Sequence, residues 1–212
     1  MRKIDLQTWP RRQQFEFFSR HGQPHFGLCA NVDVAVFYPA VKQSAYSLTI
    51  AIVYVITRAS NAVPAFRYRI REQDVIEHET VSSGFTILVD EDLFSFCVVD
   101  YTEDFPEFAA NAAAGIAAVR ENPWVSHPPR DDVLYMTAIP WVSFTTILHP
   151  MPQPPDSVPR FAWGKIFQEN GSLKMPLAVQ GHHALMDGIH MGQFYDQVQG
   201  LLNQPEVVLG NA

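Results

Sequence analysis

Cysteine is scarce: Cys29 and Cys97 are the two in 212 residues. They are too few and too far apart for a disulfide framework or a Cys-based zinc site, and two free thiols suit a reducing compartment. Charge is thin as well. With 17% charged residues against 47% hydrophobic, the chain falls outside the disordered class and among compact globular proteins. So little charge also suggests that subunit contacts cover part of the surface. Positive charge is outnumbered, 15 Lys and Arg against 22 Asp and Glu, and the net charge of -7 argues against a general affinity for nucleic acid or an anionic membrane. An anionic cosubstrate would need a local basic patch. No apolar run reaches the roughly 18 residues of a membrane span; the most apolar stretch is Leu48 to Ile56. Nor does an apolar segment of signal-peptide length follow the Arg and Lys of MRKIDLQTWPRRQQFEFFSR. The expectation is a soluble, cytoplasmic protein with no membrane and no nucleic-acid partner.

What is present is a supply of apolar side chains, among them 15 Phe, 7 Tyr and 4 Trp. A chain of this length buries roughly 70% of its unfolded surface. No repeat or low-complexity tract divides it, and the Pro-rich segment 149–160 reads as a loop inside one domain spanning residues 1–212. Phe26 to Val34 reads as a strand, and a helix is expected from Ser44 through Val63, where burial must override the β-branched content. Strands are expected at 66–70, 74–81, 85–89 and 94–101, and a helix from Asp104 to Arg120. VLYMTAI and WVSFTTIL, on either side of Pro140, read as strands meeting at a bend. The turn Glu169-Asn170-Gly171 between FAWGKIFQ and SLKMPLAVQ signals a hairpin. A final helix is expected over Gly188 to Asn203, with Phe194, Val198, Leu201 and Leu202 at helical spacing. The fold class is α/β, a two-layer sandwich of a mixed sheet with helices packed on it.

Reactive side chains concentrate in Gly-His182-His183-Ala-Leu-Met-Asp187-Gly188-Ile-His190, between a predicted strand and a predicted helix. Histidine titrates near pH 6.5 and so serves as a general base for a hydroxyl at neutral pH. Adjacent residues of an extended backbone point opposite ways, so one of the pair should reach a cleft and the other be structural. Asp187 before Gly188 suits a helix N-cap. Three readings stay open on the residues alone: a catalytic base, a metal site from His182, His183, Asp187 and His190, or core histidines beside a helix cap.

The pattern His183-x-x-x-Asp187-Gly188 within HHALMDGIH resembles the signature of the chloramphenicol acetyltransferase family, commonly HHAVCDGFH, in the CoA-dependent acyltransferase superfamily. Trp9-Pro-Arg11-Arg-Gln-Gln-Phe15-Glu-Phe17-Phe18 is similar to the family's N-terminal Trp-x-Arg-Arg-x-x-Phe-x-Phe-Tyr. Val32-Asp33-Val34, Ser44-Ala45-Tyr46, Ala138-Ile139-Pro140-Trp141-Val142 and Pro176-Leu177-Ala178-Val179-Gln180 follow in family order, so the resemblance spans nearly the whole chain. It implies a homotrimer with active sites at subunit interfaces. His183 would be the general base that takes a proton from an acceptor hydroxyl as it attacks acetyl-CoA, the cosubstrate, without an acyl-enzyme. Thr137 stands where the family has an oxyanion-stabilising serine. Asp187 would pair with Arg11 to hold the site rather than relay charge to the histidine. The resemblance also implies acceptor-binding roles for Phe17 and Phe18, a CoA-binding role for Lys165, no bound metal, and a link to antibiotic resistance.

Departures from the family fall around the acceptor and the CoA mouth. Phe18 replaces a common Tyr, and the loop Ser19 to His25 lacks an apolar Leu-Pro-Cys. Residues 143–150 differ from the usual Asn-Phe-Asp-Ser-Phe. Ile166 replaces an aromatic, and Ser47 and Thr49 replace a lysine and a tyrosine. Alternatives therefore remain: an acyltransferase with another hydroxyl acceptor, a non-catalytic acyl- or ligand-binding trimer, and a metal-dependent hydrolase. A dihydrolipoyl acyltransferase core shares the His-x-x-x-Asp-Gly pattern, but no lipoyl-bearing domain or flexible linker is seen ahead of the matching segments.

Overall fold

Local chemistry accounts for most elements. The computed structural model describes residues 1–123 and 130–210. A short strand β1 (Arg2–Lys3) leads to α1 (Arg12–Phe18), and β2 (His25–Asp33) to α2 (Phe37–Gln43). Ser44 ends α2, so the expected helix from Ser44 begins later, as α3 (Leu48–Ala62) behind Ser47. Every residue from Ile50 to Thr57 is buried, and enclosure on all sides is what keeps this β-branched run helical. A 3-10 turn over Pro64–Arg67 precedes β3 (Tyr68–Arg71), β4 (Asp74–Glu77), β5 (Ser82–Leu88) and β6 (Phe94–Val99). In α4 (Phe105–Glu121) the Asp104 side chain caps the first turn by accepting from Glu107 N at 2.7 Å.

After α4 come β7 (Val133–Ile139), β8 (Arg160–Gly164), β9 (Phe167–Glu169) and β10 (Ser172–His182), then α5 (Gly188–Asn203) and α6 (Pro205–Leu209). The β9–β10 hairpin turns at Asn170 and Gly171 with φ of 50° and 82°, the positive values that two-residue hairpin turns require. α5 has the predicted limits, and Phe194, Val198 and Leu202 face the core while Leu201 is half-buried. The strand expected over 141–148 does not form. That segment crosses the sheet face as a loop: both edges of β8 are taken by β7 and β10, so the alternating pattern has no partner there.

The large sheet runs β2-β10-β8-β7-β5-β6, with β9 paired to β10. β5–β7 and β7–β8 are parallel and the other pairs antiparallel, a mixed sheet as expected. A separate three-stranded sheet has the order β1-β4-β3. Alternate residues of the large sheet, among them Leu177, Val179, Phe161, Leu134, Met136 and Phe85, pack under α3, α4 and α5. The opposite set shares the second face: His25, Gln180, Arg160, Tyr135, Thr137, Thr86 and Phe96. Apolar side chains there stay exposed, Phe96 to 52%, together with Leu88 and Phe94.

Candidate active site

The site is built on the chain reversal between β10 and α5. His182 ends β10 paired with His25, and its Nδ1 accepts from Ala184 N at 3.2 Å. His183 turns the other way, its backbone N–H donating to Pro24 O at 2.8 Å. Its Nδ1 lies 3.1 Å from Met186 O. A carbonyl oxygen can only accept, so Nδ1 is the donor here, and the neutral tautomer this contact selects is the one with its lone pair on Nε2. The imidazole stacks on the Phe18 ring at 3.9 Å with 6° between planes, and Phe26 lies against it at 4.3 Å. These two rings leave the imidazole little freedom to turn.

α1 supplies the support. Arg11, Phe15 and Phe18 recur at helical spacing on one face. Phe15 sits in a small core with Val75, Ala184 and Leu185, the last two from the reversal itself. This packing brings Arg11 Nη1 to 2.5 Å from Asp187 Oδ2, while Nη2 reaches His183 O at 3.4 Å. Asp187 caps α5 by accepting from Ile189 N at 3.3 Å, and its own N–H donates to His190 Nδ1 at 3.1 Å. Burial acts to raise the Asp187 carboxyl, but the Arg11 hydrogen bond and charge outweigh it and hold it below the usual carboxylate range. Asp187 and Arg11 thus grip the loop from below, and the imidazole of His183 takes its orientation from Met186, Phe18 and Phe26.

The remaining predicted residues are placed as follows. Phe17 points outward, 62% exposed, its ring lying against those of Phe18 and His21. Lys165 is exposed just past β8, its backbone N–H donating to Val142 O at 2.9 Å. Ile166 packs against the main core. Thr137 lies in the middle of the sheet, its Oγ1 2.8 Å from Thr86 Oγ1. It is level with Ala162, which is level with Ala178. His183 is five residues further along, so two strand spacings and that run separate Thr137 from His183 by roughly 19 Å. One chain does not bring them together. Among the described residues no three His, Cys, Asp or Glu are grouped to hold a metal ion.

Beside the reversal lies a polar cluster that the motifs did not signal. Arg160 donates to both oxygens of Asp156, at 2.8 and 2.7 Å. His25 meets His182 edge to face at 5.1 Å. With Cys29, Leu148, His149 and Gln180, His25 lines a cleft between β2, β10 and the 146–149 loop. Burial pushes His25, His149 and His182 down to about 4, helped by the Arg160 charge at the first two and by His25 at the third. The clamp on His183 was likewise missed: Phe26 and Met186 are ordinary apolar residues in sequence, and their roles depend on how β2 and the reversal meet.

A mixed sheet whose second strand from one edge delivers a His-x-x-x-Asp-Gly reversal, gripped by an arginine from the N-terminal helix, defines an acyltransferase. The family model for chloramphenicol acetyltransferase matches residues 1–199. The chain therefore belongs to the chloramphenicol acetyltransferase family. It is 30% identical to chloramphenicol acetyltransferase 2 of Haemophilus influenzae over 203 residues, 93% of this chain and 94% of that one. A solved chloramphenicol acetyltransferase structure superposes with a TM-score of 0.85 at 27% identity, over 95% of this chain and all (100%) of that one. The cubic core of the pyruvate dehydrogenase multienzyme complex shares the fold, with a TM-score of 0.67 at 16% identity over 93% of this chain and 88% of that one.

Proposed function

We propose that the protein is an O-acetyltransferase that moves the acetyl group of acetyl-CoA to a hydroxyl of chloramphenicol. The observation that carries this reading is the His183 ring, fixed by Met186 O through Nδ1 and clamped by Phe18 and Phe26, with Nε2 left to accept a proton. His183 Nε2 takes the proton of the acceptor hydroxyl as that oxygen attacks the thioester carbonyl, forming the C–O bond and a tetrahedral oxyanion. Thr137 donates its hydroxyl hydrogen to that oxyanion. On collapse the C–S bond breaks, and His183 returns the proton to the CoA sulfur. Transfer is direct, with no acyl-enzyme.

Because roughly 19 Å separates Thr137 from His183 within a chain, the two come from neighbouring copies in an interfacial site. A homotrimer fits that requirement. The low charge of 17% and the exposed Leu88, Phe94 and Phe96 of the second face support such burial. Lys165 supplies a cation for the CoA phosphates, and Phe17 and Phe18 line the acceptor side. Arg11 and Asp187 hold the reversal.

A second reading, acetyl transfer to a different small hydroxyl compound, is favoured by one observation: Phe18 has no hydroxyl to hydrogen-bond an acceptor, and a polar group left unpaired in a buried site weakens binding. Thiol release from acetyl-CoA, with and without chloramphenicol, separates the two. Drug-dependent release that is lost in His183→Ala while the fold is kept supports chloramphenicol as acceptor and His183 as base. Release only with other alcohols supports the second reading, and full turnover by His183→Ala refutes the base.

A further inference from the structure

We propose that Thr86 is a positioning residue for catalysis: its hydroxyl donates to Thr137 Oγ1 and so aims the Thr137 proton at the reacting carbonyl oxygen. This rests on the reading of Thr137 as oxyanion donor. β5 and β7 are parallel neighbours inside the sheet, with Gly84 level with Tyr135 and Phe85 level with Met136. Thr86 and Thr137 come next on the two strands, on the face away from the helices, and their oxygens are 2.8 Å apart. That is the ordinary spacing of an O–H···O hydrogen bond.

Each hydroxyl has one hydrogen and two lone pairs, so the two hydrogens cannot both lie between the oxygens. If Thr137 donated to Thr86, it would have nothing to offer an oxyanion. If Thr86 donates, Thr137 accepts with a lone pair and its hydrogen is free to point out of the sheet. Developing negative charge on the substrate favours the second arrangement, and the Thr86 dipole then strengthens Thr137 as a donor. Both side chains are β-branched on paired strands, which limits their rotamers and fixes the direction before substrate arrives. Phe96 lies directly across from Thr86 on β6, on the same face of the sheet.

The test is steady-state kinetics with acetyl-CoA and chloramphenicol, or with the alcohol that supports thiol release if the drug does not. The variants are Thr137→Val, Thr86→Val, Thr86→Ser and the Val/Val double variant of the assembled protein, each checked for melting temperature and size. Thr137→Val is expected to lower kcat by about 100-fold or more. Thr86→Val is expected to lower kcat by about tenfold, with both KM values within about twofold of the parent. Thr86→Ser should restore kcat, and Thr86→Val should cost nothing further once Thr137 is Val. Full kcat in Thr86→Val beside an impaired Thr137→Val overturns the inference and leaves Thr137 as donor. An equal loss in both backgrounds, or no rescue by Ser, also overturns it, because a merely structural threonine would behave so. Full kcat in Thr137→Val overturns the donor reading itself and the inference with it. If Thr86→Val does not assemble, Thr86→Ala takes its place in the same comparison.

Discussion

Breaking the Arg11–Asp187 pair should destabilise the protein by an amount that depends on whether the substitution also removes the cap on α5. The side chains are 16% and 34% exposed, so the pair lies between two regimes. Stranding one member of a fully buried pair costs about 3 to 5 kcal/mol, whereas an exposed pair contributes about 0 to 1. Arg11 Nε is also buried without a hydrogen-bond partner among the described residues, which reduces the pair's net value. About 2 kcal/mol is expected for Arg11→Met, which keeps the aliphatic stem. Asp187→Asn should cost a similar amount, because its amide oxygen still accepts from Ile189 N and the cap on α5 survives. Asp187→Ala loses the cap as well and should cost about 1 kcal/mol more. Urea unfolding at one fixed protein concentration measures all three, since the proposed assembly makes stability concentration-dependent. The double variant Arg11→Met/Asp187→Asn should lie near about 2 kcal/mol rather than the additive 4. Additive losses would refute the pairing energy, and an Asp187→Ala no worse than Asp187→Asn would refute the cap assignment.

Phe18→Ala removes the ring that stacks on His183 at 3.9 Å. An aromatic pair contributes about 0.5 to 1.5 kcal/mol, so kcat should fall by up to about tenfold while Phe18→Tyr keeps it; equal kcat in the alanine variant would show that stacking does not position the His183 ring for the proposed chemistry. Stability should also fall on acidification in a defined window. His25, His149 and His182 are held near 4 in the folded protein and return to about 6.5 when unfolded, so the unfolded chain binds more protons between those values. Their contribution is complete above about pH 6.5 and is lost as pH falls towards about 4. A melting temperature that stays level from pH 6.5 to 4 in calorimetry would refute the buried, neutral state of the three rings.

Elements specified by neighbouring residues were legible. Asn170-Gly171 supplies the positive φ values of the hairpin, and Asp187 with the spacing of Phe194, Val198 and Leu202 sets α5. Elements decided by partners were not. The segment 141–148 alternates like a strand but finds no free edge. The helix α1 was not anticipated as a helix, though Arg11, Phe15 and Phe18 carry its spacing, and α2 ends at the Ser44 from which a longer helix was expected.

By itself the sequence determined the family and the order of its parts, from Arg11 through Thr137 to His183 and Asp187, because side-chain chemistry and spacing are local properties of the chain. Only the tertiary structure decided which of these meet. It joins Arg11 to Asp187 across 176 positions of sequence and stacks Phe18 on His183. It also sets Thr137 beside Thr86 and far from the histidine, because sheet register and helix packing are sums over distant contacts that no window of sequence contains.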